Sequence, residues 1–369
     1  LWHWPLLVLA SSFWARQPDV PEALSILGLS FVVATLSWRF IETPVRKRAV
    51  FATRPSIYRA AGAGVAAVAV AGAALWVSQG WPQRYPQPMR TFALASYDIS
   101  PFRDACTNRS PSVVRNGSVC VIGAPNVTPS FAVVGDSFAD ALAPGLDAAA
   151  RERGVAGLLL IQTGCLPLFG VKAGAPCDTF LAAAESRLRE SPNLHNIVLI
   201  ARWSGFVGAS RFGAIRRSGG LLRDADTKAP SVEENQRVVQ RGFQRTLAAL
   251  PERQIYVVAY LPEQAVLVPQ AATTRALMGQ DPSPGVPRAL FDRRQMRVRE
   301  ILEAPALAAL HVIDASASLC TARDCPIVVD GVPYYFDDNH ISRTAAIRIR
   351  AMFAPALGGA VYERVAEVR

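Results

Sequence analysis

Two short stretches, far apart in the chain, contain residues that could together form a nucleophilic catalytic site. In FAVVGDSFADAL, residues 131–142, Ser137 follows an apolar run and a Gly-Asp pair. In YYFDDNHIS, residues 334–342, Asp337 lies three residues before His340. A serine hydroxyl is a weak nucleophile that needs a base, and a histidine oriented by a carboxylate supplies one. The residue types therefore predict a triad in which Ser137 attacks, His340 takes the proton and Asp337 fixes the imidazole tautomer.

Each stretch also has a purely structural interpretation. Gly, Asp and Ser are residues that turns prefer, and Asp338 and Asn339 are ordinary turn residues in a polar loop before a helix. The three other histidines, His3, His195 and His311, lie in a membrane-like segment, before a strand and within a strand, where packing is the expected role. The catalytic interpretation requires the two stretches to meet in space.

Short apolar runs and longer amphipathic stretches alternate from residue 130 onward. The strand-like runs are 131–136, 155–161, 196–202, 254–260 and 310–314. Helical patterns cover 139–153, 178–190, 232–250, 289–303 and 342–357. Strands buried on both faces and separated by helices predict an α/β fold, with a mainly parallel sheet covered on both sides. Ligands collect at the carboxyl ends of such strands, which is where Ser137 lies.

The residues around Ser137 suit this position. Gly135 permits a close backbone approach, Asp136 can cap the following helix, and the N–H groups of the helix N-terminus could stabilise an oxyanion. Residues 203–230 interrupt the strand and helix rhythm with Gly, Arg and Ser. We expect a solvated loop there, with an active-site cover or a polysaccharide-contacting loop as the alternative.

The composition predicts that part of the chain lies in a membrane. Of its 369 residues 51% are hydrophobic, and the mean hydropathy is +0.20. Residues 21–40 and 57–78 are each long and apolar enough to cross a hydrocarbon core. The loop 42–59 between them carries five basic residues and should stay in the cytoplasm. Everything after Trp81 would then lie outside the cytoplasm, beyond a Pro-rich tether.

The net charge of +10 does not favour a nucleic-acid partner. Residues 1–79 hold seven basic and three acidic residues, and the other 32 basic and 26 acidic residues leave a diffuse surplus. No basic stripe interleaved with aromatic residues is present to follow a phosphate backbone. The sequence opens inside an apolar stretch without Met, so we expect it to be the C-terminal part of a longer protein.

The cysteines give an independent indication of the compartment. All six lie after the second crossing, and an even number there fits disulfides in an oxidising compartment. Fifteen pairings are possible, of which the nearest-neighbour set would close three short loops. That set is Cys106 with Cys120, Cys165 with Cys177 and Cys320 with Cys325. A metal site is the weaker interpretation, because the chain has no CxxC pair and no His-rich cluster.

The two catalytic stretches resemble a known superfamily. VVGDSFADAL and DDNHIS are similar to the Gly-Asp-Ser and Asp-x-x-His blocks of the SGNH (GDSL-like) hydrolases. WRFIETPVRKR resembles the end of the acyltransferase 3 membrane domain, to which such domains are often fused in bacterial O-acetyltransferases. The resemblance implies a flavodoxin-like three-layer sandwich. It also implies membrane helices in 1–79, a linker with a disulfide-bonded extension in 80–129 and an SGNH-like domain in 130–369.

The resemblance assigns Ser137, Asp337 and His340 as the catalytic residues, but one block departs from the pattern. Gly164 matches the family's second block and could give its backbone N–H to an oxyanion. Where the family has an asparagine after the third strand, this chain reads LIARWSGF. Arg202 is a candidate for the missing donor, or it only pairs with a carboxylate.

The expected function is O-acetyl transfer to a cell-surface glycan, such as a lipopolysaccharide O-antigen or peptidoglycan. Acetyl-CoA would be the ultimate donor through upstream acyltransferase membrane helices, with no cofactor bound by this segment. The chain would lie in a bacterial inner membrane with its C-terminal domain in the periplasm. A carbohydrate O-acetylesterase and a non-catalytic glycan-positioning module remain alternatives. A classical α/β-hydrolase is set aside, because the nucleophile lies on the first strand of its domain.

Overall fold

The structure is a computed structural model that describes residues 1–14, 18–212 and 220–358, without the side chain of Ser12. The chain divides into two compact units. One consists of Leu1–Leu94 and Gln270–Pro282, and the other of Ala95–Pro269 and Ser283–Arg369.

Helices occupy much of both units. In chain order they are α1 (His3–Trp14), α2 (Val20–Ser37), α3 (Thr43–Arg46), α4 (Arg54–Val77), α5 (Met89–Leu94), α6 (Arg103–Cys106), α7 (Pro111–Arg115), α8 (Ser137–Glu152), α9 (Ala175–Arg189), α10 (Trp203–Gly208), α11 (Val232–Ala249), α12 (Val268–Leu277), α13 (Arg288–Leu302), α14 (Ser316–Leu319), α15 (Arg343–Arg348) and α16 (Ala354–Leu357). A π-helical turn, Trp38–Glu42, joins α2 to α3. Short 3₁₀ helices span Pro82–Arg84, Ala95–Tyr97, Pro305–Leu307 and Arg350–Phe353.

Two helical stretches of the first unit are long and apolar enough to cross a membrane. They are Val20–Arg46 and Arg54–Val77, of 27 and 24 residues. A capping box fixes where each stretch begins. The side chains of Asp19 and Thr53 accept from the backbone N–H groups of Glu22 and Ser56. The side chains of Glu22 and Ser56 in turn accept from the backbone N–H groups of Asp19 and Thr53. The predicted basic loop 42–59 is therefore too long. Helix continues to Arg46 and resumes at Arg54, which leaves residues 47–53 as the connection.

The second unit is built on a six-stranded sheet. Its strands are β1 (Val121–Gly123), β2 (Phe131–Gly135), β3 (Ala156–Ile161), β4 (Asn196–Ile200), β5 (Gln254–Ala259) and β7 (Leu310–Asp314), in the order β1-β3-β2-β4-β5-β7. Four short strands form two antiparallel pairs outside it: β6 (Val286–Pro287) with β8 (Asp324–Cys325), and β9 (Val328–Val329) with β10 (Val332–Pro333).

The five strands predicted from the apolar runs are all present and parallel. β1 was not predicted and runs antiparallel to β3 at the edge of the sheet. Its three residues are too few to show a strand pattern.

Both faces of the sheet are covered, as the two-sided burial of the strands predicts. Ala132 and Val134 of β2 belong to the core that contains side chains of α9, α11 and α13. Phe131 and Val133 are fully buried too but lie outside that core. Because successive strand residues point to opposite faces, they occupy the other face, where α8 contacts β2 and β3 and packs against α15. The result is the three-layer α/β arrangement.

Two predicted elements differ from the structure. The helix expected over 342–357 is divided into α15, a 3₁₀ turn and α16. Its interruption precedes Pro355, which lacks a backbone N–H and restricts the residue before it.

The expected solvated loop over 203–230 begins with α10, and its residues 213–219 lie outside the described residues. After them, Asp224 is fully buried and accepts hydrogen bonds from Arg241 and Arg245 of α11. Burial opposes ionisation of Asp224, but these bonds outweigh it and hold the pKa of the carboxyl well below its usual range. This end of the loop is therefore anchored to the domain.

All six cysteines form disulfides, in the nearest-neighbour pairing that closes short loops. Cys106 joins Cys120, Cys165 joins Cys177, and Cys320 joins Cys325. The first bridge ties α6 to the residue before β1, and the second ties the loop after β3 to α9.

Candidate active site

Ser137 lies where β2 ends and α8 begins, at the carboxyl edge of the sheet. Gly135 makes this position possible, because a Cβ atom there would lie 2.2 Å from the carbonyl oxygen of Ile200 on β4. The next residue, Asp136, donates its backbone N–H to that same oxygen and caps α8 by accepting from the Phe138 N–H. Ser137 is consequently the first residue of the helix, at a corner that both strands hold.

The two stretches identified from the sequence meet at this corner. His340 Nε2 lies 2.7 Å from Ser137 Oγ, across 203 residues of sequence. His340 Nδ1 lies 2.7 Å from Asp337 Oδ2. When Nδ1 donates to the carboxylate, Nε2 is the nitrogen left to accept the serine proton.

The Asp337 carboxylate is fixed by its own loop. Its Oδ1 accepts the backbone N–H groups of Asn339, at 2.8 Å, and of His340, at 2.7 Å. Burial opposes ionisation of Asp337, but the hydrogen bond to His340 and the electrostatic attraction of that residue, aided by the two N–H groups, hold the pKa of the carboxyl below its usual value. The carboxylate is therefore charged when it orients the imidazole.

Two aromatic rings confine the imidazole. The Phe336 ring stacks on His340 with the ring planes 5° apart and the centroids separated by 5.3 Å. The Phe138 ring packs against it at 5.0 Å and at an angle of 50°. Neither phenylalanine was selected from the sequence, because nothing in a single apolar residue indicates which ring it will touch.

Asp136 is the second carboxyl group at the corner. It is buried, its Oδ1 accepts from Phe138 N–H at 2.8 Å, and its Oδ2 accepts from Arg202 N–H at 3.0 Å. Burial outweighs these bonds and raises the pKa of Asp136 to about 6. Asp136 joins the ends of β2 and β4, and among the described residues its carboxyl makes no hydrogen bond to the imidazole, so its role is to hold the corner.

A hollow of about 420 Å³ opens on one side of the Ser137 hydroxyl. Gly164 lies on its wall with φ of +73°, in the left-handed region that favours glycine. Within the part of the chain that the structure describes, the backbone N–H groups of Ser137 and Gly164 have no hydrogen-bond partner. Two such donors on residues that line one hollow could stabilise an oxyanion there.

Arg202 lies on the wall of the same hollow, and it has the carboxylate partner that one interpretation of the sequence expected. Its Nε donates to Glu263, whose side chain is 1% exposed. The other oxygen of Glu263 accepts from Arg294 Nε at 2.8 Å. Glu263 and Arg294 were not selected from the sequence, since they lie 61 and 92 positions beyond Arg202 in segments with no motif.

Asn339 is another residue that sequence reasoning missed. We expected an ordinary turn residue, but its side chain is buried and lines the hollow beside Ser137. Its Oδ1 atom has no hydrogen-bond partner among the described residues. The only signal in the sequence is its position between Asp337 and His340.

This arrangement suits acyl chemistry at Ser137. An imidazole that can act as a base lies within hydrogen-bond distance of the hydroxyl, a carboxylate orients that imidazole, and two backbone N–H groups without partners among the described residues lie on the lining of the adjacent hollow. Among the described residues no group of three or more His, Cys, Asp or Glu side chains is placed to hold a metal ion.

The chain is similar to several known proteins. A family model described as an SGNH domain fused to AT3 domains matches residues 105–355. Over 48 residues the chain is 42% identical to the peptidoglycan O-acetyltransferase OatA of Listeria monocytogenes, and this segment is 13% of the chain and 8% of that protein. The solved lipopolysaccharide acetyltransferase periplasmic domain of Salmonella ser. Paratyphi A has a TM-score of 0.46 and 14% identity, over 68% of this chain and 90% of that one.

The raised pKa of Asp136 predicts a specific pH dependence of stability. Between its unfolded value of 3.8 and about 6, the folded chain keeps a proton on Asp136 that the unfolded chain has released. The folded state then binds more protons, so the free energy of unfolding falls as pH rises, by about 3 kcal/mol over this window. Asp136→Asn should remove this fall. Urea unfolding of the detergent-solubilised chain between pH 4 and pH 7, followed by near-ultraviolet circular dichroism, measures it.

Asp338→Asn is the control. It removes a partly exposed carboxyl in the same site, leaves buried Asp136 in place, and should keep the pH slope of the parent. Equal slopes for Asp136→Asn and the parent would show that Asp136 is not the group responsible.

Proposed function

The chain belongs to the family of SGNH domains that are fused to AT3 domains, and on that basis we propose that it transfers O-acyl groups, acetyl in particular, to hydroxyls of a cell-surface glycan. The observation that carries the proposal is the pair of 2.7 Å contacts that connect Ser137 Oγ, His340 and Asp337. They give the serine both a base and a fixed tautomer of that base.

In the first half-reaction Ser137 Oγ attacks the carbonyl carbon of an acyl donor, and His340 Nε2 takes the hydroxyl proton. The donor's ester bond breaks, and His340 returns the proton to the leaving group. In the second half-reaction a glycan hydroxyl gives its proton to His340 Nε2 and attacks the acyl-enzyme. The glycan oxygen forms the new ester bond, the bond to Ser137 Oγ breaks, and the proton passes to that oxygen.

Three donors would stabilise the oxyanion that forms in each half-reaction. The Ser137 and Gly164 N–H groups supply two fixed dipoles at the corner. The Arg202 guanidinium supplies a charged donor where the family pattern has an asparagine. Because buried Glu263 binds Arg202 from behind, the guanidinium is held in place before substrate binds. Substitution of Arg202 can test the role of the charged donor.

The acyl group would come ultimately from acetyl-CoA in the cytoplasm, passed through acyltransferase membrane helices to the second unit in the periplasm. Arg46 and Arg54, which flank the connection 47–53, favour a cytoplasmic position for it. Three disulfides in the second unit favour an oxidising compartment for that unit. O-antigen and peptidoglycan are the two glycan classes that fit this location.

The triad gives the first test. Ser137→Ala and Asp337→Asn should each lower acetyl transfer from 4-nitrophenyl acetate to glycan by about 10³-fold or more, because one removes the nucleophile and the other the tautomer that activates it. Asp338→Asn is the matched control, since Asp338 pairs with Arg211 rather than with His340. It should retain activity within about twofold. Mass spectrometry of the glycan product and absorbance of released nitrophenol measure both halves.

Two outcomes would replace the proposal with another function. Rapid Ser137-dependent acetate release with no acetylated glycan would indicate an esterase. Full glycan acetylation by the Ser137→Ala variant would indicate a module that only positions the glycan.

The role of Arg202 gives the second test. Arg202→Met should lower kcat about 10²-fold with little change in KM, because an oxyanion donor acts in the transition state rather than on the bound substrate. Arg211→Met is the matched control at the same hollow and should change kcat less than about twofold. Steady-state kinetics with 4-nitrophenyl acetate separates the two constants. A rise in KM alone would assign Arg202 to substrate binding instead.

The topology gives the third test. Alkaline phosphatase, which matures in the periplasm, should be active when it is fused after Arg369. The reason is that two crossings around a cytoplasmic connection export the second unit. A fluorescent protein that matures only in the cytoplasm, fused at the same point, is the control and should stay dark. The reverse pattern would place the second unit in the cytoplasm.

A further inference from the structure

A second hollow, of about 540 Å³, lies beside the triad and shares only Ser137 and His340 with the first. We propose that it is the acceptor subsite, which binds a sugar of the glycan through hydroxyl hydrogen bonds and presents one hydroxyl to His340. This inference rests on the proposed function and specifies where its second substrate binds.

One wall of this hollow comes from outside the strand and helix repeat of the domain. Residues 103–108 form α6 and the turn after it, well before β2 in the sequence. Their turn is fastened to the end of β3, because the Asn108 N–H donates to the Ile161 carbonyl at 2.9 Å. The disulfide from Cys106 to Cys120 holds the same segment from the other side. The wall is therefore rigid before a ligand arrives.

Arg103 is the charged donor on this wall. Its Nε donates to Asp140 Oδ2 at 2.7 Å, and the Asp140 side chain is only 1% exposed. The guanidinium carbon lies 4.8 Å from the centre of the Phe336 ring, which in turn stacks on His340. These contacts fix the guanidinium, and in the described part of the chain its two terminal NH₂ groups make no further hydrogen bond. They remain available as donors at the hollow.

Asn108 supplies a neutral donor at a fixed orientation. Its φ of 54° is left-handed, a conformation that asparagine adopts more readily than most residues. Its Oδ1 accepts from both the backbone N–H and the hydroxyl of Thr163, at 2.9 and 2.8 Å. Those two bonds orient the amide, so that Nδ2 is the group left for a ligand. The exposed carboxylate of Asp104 adds an acceptor to the same wall.

Donors and acceptors on one wall fit a sugar, because every sugar hydroxyl both donates and accepts. The volume of about 540 Å³ falls in the range of small-molecule sites and has room for about one or two sugar rings. A simple alkyl or acyl group would leave these polar groups unpaired. The chemistry of the wall therefore favours a hydroxylated ligand.

The position of the two hollows separates the roles of the substrates. Gly164 and Arg202 line the first hollow, so the carbonyl oxygen of the acyl group belongs there. Asp337 and both reacting residues line the second. An acceptor hydroxyl there can give its proton to His340 Nε2 while its oxygen attacks the acyl carbon. The bond to Ser137 Oγ then breaks and the proton passes to that oxygen.

The test measures how the acyl-enzyme divides between two acceptors. The full chain in detergent, charged from 4-nitrophenyl acetate, is offered methanol together with a pool of delipidated O-antigen polysaccharide and soluble peptidoglycan fragments. Methanol is too small to need the wall, whereas the glycans depend on it. Asn108→Asp keeps an oxygen that accepts the Thr163 bonds but replaces the Nδ2 donor with a negatively charged acceptor, and it should lower the ratio of glycan ester to methyl ester about tenfold. Asp104→Asn should lower the same ratio.

Asn126→Asp is the matched control, since Asn126 is also an exposed asparagine with a left-handed φ, of 60°, and does not line the hollow. It should leave the ratio unchanged. An unchanged ratio in both Asn108→Asp and Asp104→Asn would overturn the acceptor subsite and leave the proposed function standing. Absence of Ser137-dependent ester turnover in the unsubstituted chain would refute the proposed function itself.

Discussion

The site depends on the close approach of two parallel strands at Gly135. The Ile200 carbonyl of β4 occupies the space that any side chain at that position would need. The approach lets Asp136 bond to Ile200 through its backbone and to Arg202 through its carboxylate. The ends of β2 and β4 are therefore tied to each other at the point where the chain turns into α8. This constraint fixes the position of Ser137, of its backbone N–H and of the Arg202 guanidinium.

Two carboxyl groups one corner apart respond to burial in opposite ways, and their partners explain why. Asp136 is buried with only backbone N–H groups bonded to it, so desolvation dominates and its pKa rises. Asp337 is also partly buried but faces the imidazole of His340, whose hydrogen bond and electrostatic attraction overcome desolvation and lower the pKa of the carboxyl. Asp136 thus joins the ends of β2 and β4, while Asp337 stays ionised beside His340. Among the described residues the other buried carboxylates, Asp140, Asp224, Glu234 and Glu263, each have an arginine partner, which offsets the unfavourable burial of charge.

The arginines also extend the site beyond the three catalytic positions. Glu263 links Arg202 to Arg294, so that a donor at the end of β4 is held by α13. Asp140 links Arg103 to α8, one turn after Ser137, and places the guanidinium of Arg103 over the Phe336 ring that stacks on His340. In each case a buried carboxylate on the scaffold fixes a guanidinium that faces a hollow. A buried carboxylate paired with an arginine therefore supports both sides of the site, the proposed oxyanion side and the proposed acceptor side.

The sequence by itself determined the parts of this protein that local patterns encode. Apolar runs separated by amphipathic stretches predicted the five parallel strands, and the spacing of Asp337 and His340 predicted a pair that one short loop can hold. The even number of cysteines after the second crossing predicted disulfides but left fifteen pairings possible, and the structure decided among them. Only the tertiary structure decided which distant residues meet: the Arg202 and Glu263 pair, the burial of Asn339, and the wall formed by residues 103–108. It also revealed β1, which is too short for a pattern, and the division of the last helix. The physical reason is that periodicity and spacing reflect the preference of each segment alone, whereas these contacts depend on which distant segments the strand order of the sheet brings together.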